Sequence, residues 1–294
     1  MYKKYKAVFF DWDGTAVTSR RDPGHEVAPL LSELLRQNVK LFVISGTTCE
    51  NIAGGRLHEA IPKHLLKNLY LGLARGAYNY GFESDGQVRL LGGRLPSREE
   101  KLKIHVICFA FHTMLLTQYG YETDIVFSRP NYCKIDMLCD HDRGGKLFLQ
   151  AGESGMLRDK LLARGYTKGV KGLIDDAEAL GGKFGLSVKA TTDAKYLEVG
   201  LATKGDNVDF LMDHTVLGSG VIARECCFWG DEFGEFEEGV FGSDAYMLTE
   251  RTKEADFFDV SESDEPVPEG IRHVGGGVNS FLDFLRGQAA LGGG

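Results

Sequence analysis

Apolar positions along the chain fall into two styles, and the switch between them divides it. The first style opens with Ala7-Val8-Phe9-Phe10, an apolar run that meets Asp11-Trp12-Asp13-Gly14-Thr15. So short a run, stopped by a glycine turn signal, predicts a buried strand. Val27, Leu30, Leu31, Leu34 and Leu35 then recur on one face of a helix. Lys40 to Ile44 predicts a second strand, ending in Ser45-Gly46-Thr47-Thr48, and Leu69 to Leu73 a third. Strand, helix, strand in this order predicts an α/β fold with a Rossmann-like, doubly wound parallel sheet.

The style changes near Arg75-Gly76-Ala77. Tyr78 to Phe82 and Val88 to Leu91 flank an Asp85-Gly86 hairpin signal. Ser97-Arg98-Glu99-Glu100 has the capping-box form and opens a helix through Tyr119, with Leu102, Val106, Phe109, Ala110, Met114 and Leu116 among its apolar residues. Strand-like runs follow at 123–128 and 132–138, helical ones around 157–162 and 173–180, and strand-like ones again at 186–190 and 196–201. Hairpins mixed with helices predict an α+β unit, so residues 76–199 are expected to be an insertion into a core made of 1–75 and 200–294.

The first style then returns. Lys204-Gly205-Asp206-Asn207 opens a helix through Met212. Cys226 to Trp229 is a strand that runs into Gly230-Asp231-Glu232, and a glycine-rich acidic loop leads to Gly242-Ser243-Asp244. Ala255 to Val260 predicts a last strand, and Asn279 to Arg286 a last helix.

Composition narrows the function. At 294 residues with net charge −8 and no Lys/Arg-rich run, the chain is not a general nucleic-acid binder. Its six cysteines form no Cys-x-x-Cys pair, which fits a reduced, cytoplasmic setting. The apolar run behind the basic first residues is too short for a signal peptide, and no run approaches membrane-spanning length.

The candidate chemistry sits at strand ends. Alternation points Asp11 and Asp13 to the same side, and two like charges so close need a cation or a shared proton. A divalent metal, a nucleophile with an acid/base partner, or both would satisfy them. A parallel sheet brings the carboxyl ends of its strands to one edge, here Asp11, Asp13, Ser45 and Asp231. Lys204 and the amides at helix starts can hold an anion there. Carboxylates for a hard cation, with a hydroxyl, a lysine and amides for a phosphoryl group, make a phosphoryl-transfer site. Taken singly, Ser45 is a helix cap, Lys204 a surface lysine and Asp231 a turn; their joint order carries the inference. Gly275-Gly276-Gly277, the Cys226-Cys227 pair and the loop at His141-Asp142 carry none.

In that order the residues resemble the haloacid dehalogenase superfamily: Asp11-Trp12-Asp13-Gly14-Thr15, then Ser45-Gly46-Thr47, then Lys204, then Gly230-Asp231 with Gly242-Ser243-Asp244. An insertion between the second and third motifs is similar to the members with a large α/β cap, the Cof-type sugar phosphatases and the phosphomannomutase group. Ser243 stands where an Asn is usual, and the 231–244 loop is longer than the Cof pattern, nearer the phosphomannomutase form. Residues 128–134 also resemble that group's cap.

The resemblance implies roles. Asp11 attacks phosphorus and forms an aspartyl-phosphate; Asp13 protonates the leaving oxygen and then activates water. Asp11, the Asp13 main-chain carbonyl and Asp231 hold Mg²⁺, while Asp244 orients the metal's shell or Lys204; Glu232 is a further metal-side carboxylate. Ser45, Gly46, Thr47 and Lys204 take the phosphoryl oxygens. Because the cap closes over the site in this group, Arg129, Asn131, Lys134 and Lys189 are the candidates for substrate recognition. The implied activity is a Mg²⁺-dependent phosphatase for a small phosphorylated metabolite, a sugar phosphate by preference, acting as monomer or homodimer without nucleic acid or membrane. A hexose phosphomutase and a phospho-ligand-binding module without turnover are the alternatives.

Overall fold

The computed structural model describes residues 3–19, 21–127, 129–143, 152–263 and 265–292. The chain opens with β1 (Ala7–Phe10), α1 (Val27–Arg36), β2 (Lys40–Ser45) and β3 (Leu69–Leu73), then the hairpin β4 (Tyr78–Phe82) and β5 (Val88–Gly92). A middle part follows with α2 (Arg98–Tyr119), β6 (Asp124–Val126), β7 (Tyr132–Asp136), α3 (Glu153–Ala163), α4 (Gly169–Lys183), β8 (Lys189–Thr192) and β9 (Tyr196–Gly200). The last part holds α5 (Lys204–Leu211), β10 (Cys226–Gly230), the small hairpin β11 (Glu235–Glu237) and β12 (Val240–Phe241), β13 (Asp256–Asp259), β14 (Ile271–His273) and α6 (Gly277–Gly292).

The main sheet has eight strands in the order β14-β13-β10-β1-β2-β3-β4-β5, parallel from β14 to β3. This is the mixed α/β fold with a large parallel central sheet that the strand–helix pattern predicts. Alternation along β1 splits the core: Val8 and Phe10 face the side that holds α1 and α6, Ala7 and Phe9 the side that holds α5. On the α5 side a row of aromatic rings crosses five strands in register. Phe257, Phe228, Phe9, Phe42 and Tyr70 stack at centroid separations of 4.6, 4.4, 4.1 and 4.9 Å. Neighbouring parallel strands put same-face residues side by side, so large flat rings there bury area and lock register. Trp12 is fully buried on the opposite side, in the α1–α6 core.

The hairpin β4–β5, expected within the insertion, extends the main sheet instead, antiparallel to β3. The link from β3 to β4 covers only residues 74–77, with positive φ at Ala74, Arg75 and Gly76. A link that short cannot carry a parallel crossover, so the chain must fold straight back. The second sheet, β6-β7-β9-β8, is wholly antiparallel and packs on α2 and α4 around Ile107, Phe111, Ile135 and Leu197.

The start of α2 is the capping box read from sequence: Ser97 Oγ accepts from the Glu100 amide at 3.2 Å, and Glu100 Oε2 from the Ser97 amide at 2.8 Å. Its buried face differs from the apolar residues singled out in the sequence. Ile104, Ile107, Cys108, Phe111 and Leu115 are buried, whereas Leu102, Val106, Phe109 and Leu116 are exposed. The helix is apolar on more than one side, and the antiparallel sheet covers only one of them. Three strands gave no sequence signal: β14, and β11 and β12 of the hairpin inside the acidic loop. The strand-like run at 123–128 is ordered as β6, and Ser128 lies outside the described residues.

Among the described residues no helix is long and apolar enough to cross a membrane.

Candidate active site

Strand order brings the site together. β1 lies between β2 and β10, so Asp11, Ser45 and Asp231 leave adjacent strands at their carboxyl ends. The Asp11 amide donates to the Trp229 carbonyl at 2.9 Å, which continues the β1–β10 ladder one residue beyond the strand and fixes the Asp11 backbone. Lys204 enters from the first turn of α5, whose start is held by the Thr203 amide donating to Asp206 Oδ2 at 2.7 Å.

Asp11, Lys204 and Asp244 form a buried chain of charges. Lys204 Nζ donates to Asp11 Oδ1 at 2.9 Å and to Asp244 Oδ1 at 2.7 Å. The other oxygen of Asp244 accepts the amides of Asp231 and Glu232 at 3.1 and 2.9 Å, so one carboxylate both orients the lysine and shapes the loop after β10. Gly230 must be a glycine here, because a Cβ would strike the Asp244 carboxylate. Asp231 Oδ1 accepts from Thr15 Oγ1 at 2.9 Å. Gly14 has φ +89°, and a Cβ there would overlap Asp231 Oδ2. The turn after β1 thus closes tightly over the third carboxylate.

Ligand oxygens of Asp11, Asp231 and Asp244 lie within 4.8 Å of one another. Burial raises the pKa of Asp11 well above the usual carboxylate range; Lys204 opposes that shift, and the charges of Asp244 and Asp13 add to it. Burial raises Asp231 likewise, helped by the charge of Asp11. Burial also lifts Glu232 to about 7, although Ser243 Oγ donates to it at 2.7 Å. Lys204 is held firmly charged: burial alone would lower its pKa, but Asp11 and Asp244 outweigh that. One lysine against three carboxylates leaves negative charge that a divalent cation would neutralise, and all the donors are oxygen, as a hard ion such as Mg²⁺ prefers. The residues therefore fit the implied metal.

Asp11, Asp13, Ser45, Gly46, Thr47 and Lys204 line one cleft, partly open to solvent, together with Glu232 and Ser243. Its far wall comes from the second sheet and the segment before it: Arg129, Tyr132, Lys134, Thr192, Asp193 and Glu198. Arg129 and Lys134 were among the sequence candidates for this wall. Asn131 has another position. It lies outside the cleft lining, and its side-chain NH₂ donates to the Ala74 carbonyl at 2.6 Å and reaches the Arg75 carbonyl at 3.3 Å. Lys189 is also outside, paired with Asp206 at 2.9 Å.

Arg75 and Glu198 had no motif to announce them, and Tyr132 lay within the 128–134 stretch without being singled out. Tyr132 Oη donates to the Gly46 carbonyl at 3.1 Å, and the Arg75 guanidinium lies over the Tyr132 ring at 5.0 Å. The only sequence signal at Arg75 was the change of pattern at Arg75-Gly76-Ala77.

No family model matches the sequence, and neither does any curated protein. Solved structures do match. An IMP-bound mutant of the Plasmodium falciparum IMP-nucleotidase superposes with a TM-score of 0.62 over 98% of this chain and 67% of its own, at 13% identity. The sucrose-phosphatase of Synechocystis, in complex with sucrose and phosphate, gives 0.55 over 98% of this chain and 99% of its own, at 11% identity. What they share with this chain is the fold. Both carry phosphatase or nucleotidase names, and the site described above rests on this chain's own residues.

Proposed function

We propose that this chain is a metal-dependent phosphatase of small phosphorylated metabolites, with sugar phosphates the first class to test. The observation that carries the reading is the buried Asp11–Lys204–Asp244 chain beside Asp231, facing a cleft that also presents Asp13, Ser45 and Gly46. The fold shared with a nucleotidase and a sugar-phosphate phosphatase supports it.

Asp11 and Asp231, with the Asp13 carbonyl, would hold Mg²⁺, which supplies positive charge against the phosphoryl oxygens. This chain's residues do the rest. Lys204 and Ser45 hold the phosphoryl group, and Lys204 opposes the rise that burial imposes on the Asp11 pKa. Asp11 Oδ forms the bond to phosphorus while the bond to the leaving oxygen breaks. Asp13 gives that oxygen its proton. Asp13 then takes a proton from water as the water oxygen attacks phosphorus, which frees phosphate and restores Asp11. The wall formed by Tyr132, Lys134 and Glu198 covers the site and limits access of bulk water. Residues 97–200, which carry that wall, are the proposed cap.

The test is hydrolysis of p-nitrophenyl phosphate and a panel of metabolite phosphates with Mg²⁺. Asp11→Asn and chelation by EDTA should each reduce turnover at least a thousandfold. Turnover that survives either treatment overturns the reading, and so does a panel on which nothing is hydrolysed.

A further inference from the structure

The proposed chemistry gives the cations Arg75 and Arg129 of the cleft no role. Arg75 is buried, 3% exposed, and its stem crosses Gly46 on the way into the cleft. It reaches that place because Ala74, Arg75 and Gly76 all have positive φ, which turns the β3–β4 link inward. Arg129 and Lys134 face the same space from the opposite wall.

One carboxylate, Glu198, pairs with two of these three cations. Lys134 Nζ lies 2.6 Å from Glu198 Oε1, and Arg75 Nη1 lies 3.2 Å from Glu198 Oε2. Asp193 is nearby but is engaged by Arg143 at 3.1 Å. The geometry at Glu198 leaves Arg75 Nη1 and Nη2 without a hydrogen bond, and Arg129 Nε has none either among the described residues. Buried guanidinium N–H groups without acceptors are costly, and the planar fork of a guanidinium matches a carboxylate or phosphate.

We propose that the substrate carries a second anionic group, a phosphate or a carboxylate, which seats between Arg75 and Arg129 while the first phosphoryl group meets Asp11. This deepens the phosphatase reading and rests on it. Glu198 is then the internal counter-ion of Arg75 and Lys134, with which the second anion of the substrate competes. The cleft selects a compact substrate with two anions, and a neutral leaving group leaves the arginines unsatisfied.

Two substrate pairs test this with the full-length protein and Mg²⁺: fructose 6-phosphate against fructose 1,6-bisphosphate, and glycerol 3-phosphate against 3-phosphoglycerate. The wild type should prefer the doubly anionic member of at least one pair by thirtyfold or more in kcat/KM, and the pair concerned tells phosphate from carboxylate. Arg75→Gln should bring that ratio below threefold, and Arg129→Gln should lower it in the same direction if the first variant fails to fold. Glu198→Gln, which removes the competing carboxylate, should lower KM for the doubly anionic substrate; a role in folding alone would not give opposite signs. Hydrolysis of both members at equal rates overturns the second-anion site and leaves the phosphatase reading standing. Absence of any hydrolysis removes both.

Discussion

Lys204 and Asp11 stand 193 residues apart in sequence and form a buried ion pair at 2.9 Å. The lysine is also bound to Asp244, so its removal leaves two carboxylates facing each other in a dry site. Lys204→Met should destabilise the metal-free protein by about 3 kcal/mol, the usual cost of leaving a buried charge without its partner. Denaturant unfolding in EDTA measures this. A loss below about 1 kcal/mol would mean that Asp11 is already neutral without metal.

Gly14 packs against Asp231, the proposed metal ligand. Gly14→Ala places a Cβ against Asp231 Oδ2 and forces a left-handed backbone angle on a residue that resists it. The backbone alone costs about 1–2 kcal/mol. The displaced Asp231 should weaken Mg²⁺ binding at least tenfold, read by calorimetric titration. Unchanged affinity would separate Asp231 from the metal.

Tyr132 joins the wall of the cleft to the loop at 45–47 through the Gly46 carbonyl. Tyr132→Phe removes one hydrogen bond, worth about 1 kcal/mol. If closure of this wall holds substrate, KM should rise about fivefold, with a smaller change in kcat. A fall in kcat at constant KM would place Tyr132 in the chemical step instead.

The Glu198 cluster sets an acid limit on stability. Burial alone would raise the pKa of Glu198, but Lys134 and Arg75 outweigh it and bring it from the ordinary 4.5 down to about 2. A depressed folded-state pKa gives stability that is fully present above pH 4.5 and is lost as pH falls from there through about 2. The shift corresponds to about 3 kcal/mol. Thermal unfolding between pH 6 and pH 2.5 should therefore show a shallower acid slope in Glu198→Gln than in the wild type. Equal slopes would mean that the cluster is solvated and contributes nothing.

Much of this protein is legible in its sequence because the relevant signals are local. Ala7 to Phe10 is too short and apolar to be anything but a buried strand, and its end puts Asp11 at the sheet's edge. Ser97 and Glu100 mark the start of α2 because a capping box is satisfied within four residues. The order of Asp11, Ser45, Lys204 and Asp231 along the chain was enough to expect these residues at one sheet edge, since parallel strands gather their carboxyl ends. Tertiary structure alone decided the rest. The β4–β5 hairpin joined the main sheet because its short link to β3 excludes a crossover. The covered face of α2 was chosen by the sheet beneath a helix that is apolar on several sides. Arg75 entered the cleft because three consecutive positive φ angles turn the chain, and it met Glu198 of a different sheet. Local patterns encode elements and strand ends, whereas the pairing of buried charges over 100 residues apart depends on which surfaces come to face each other, and no local spacing records that.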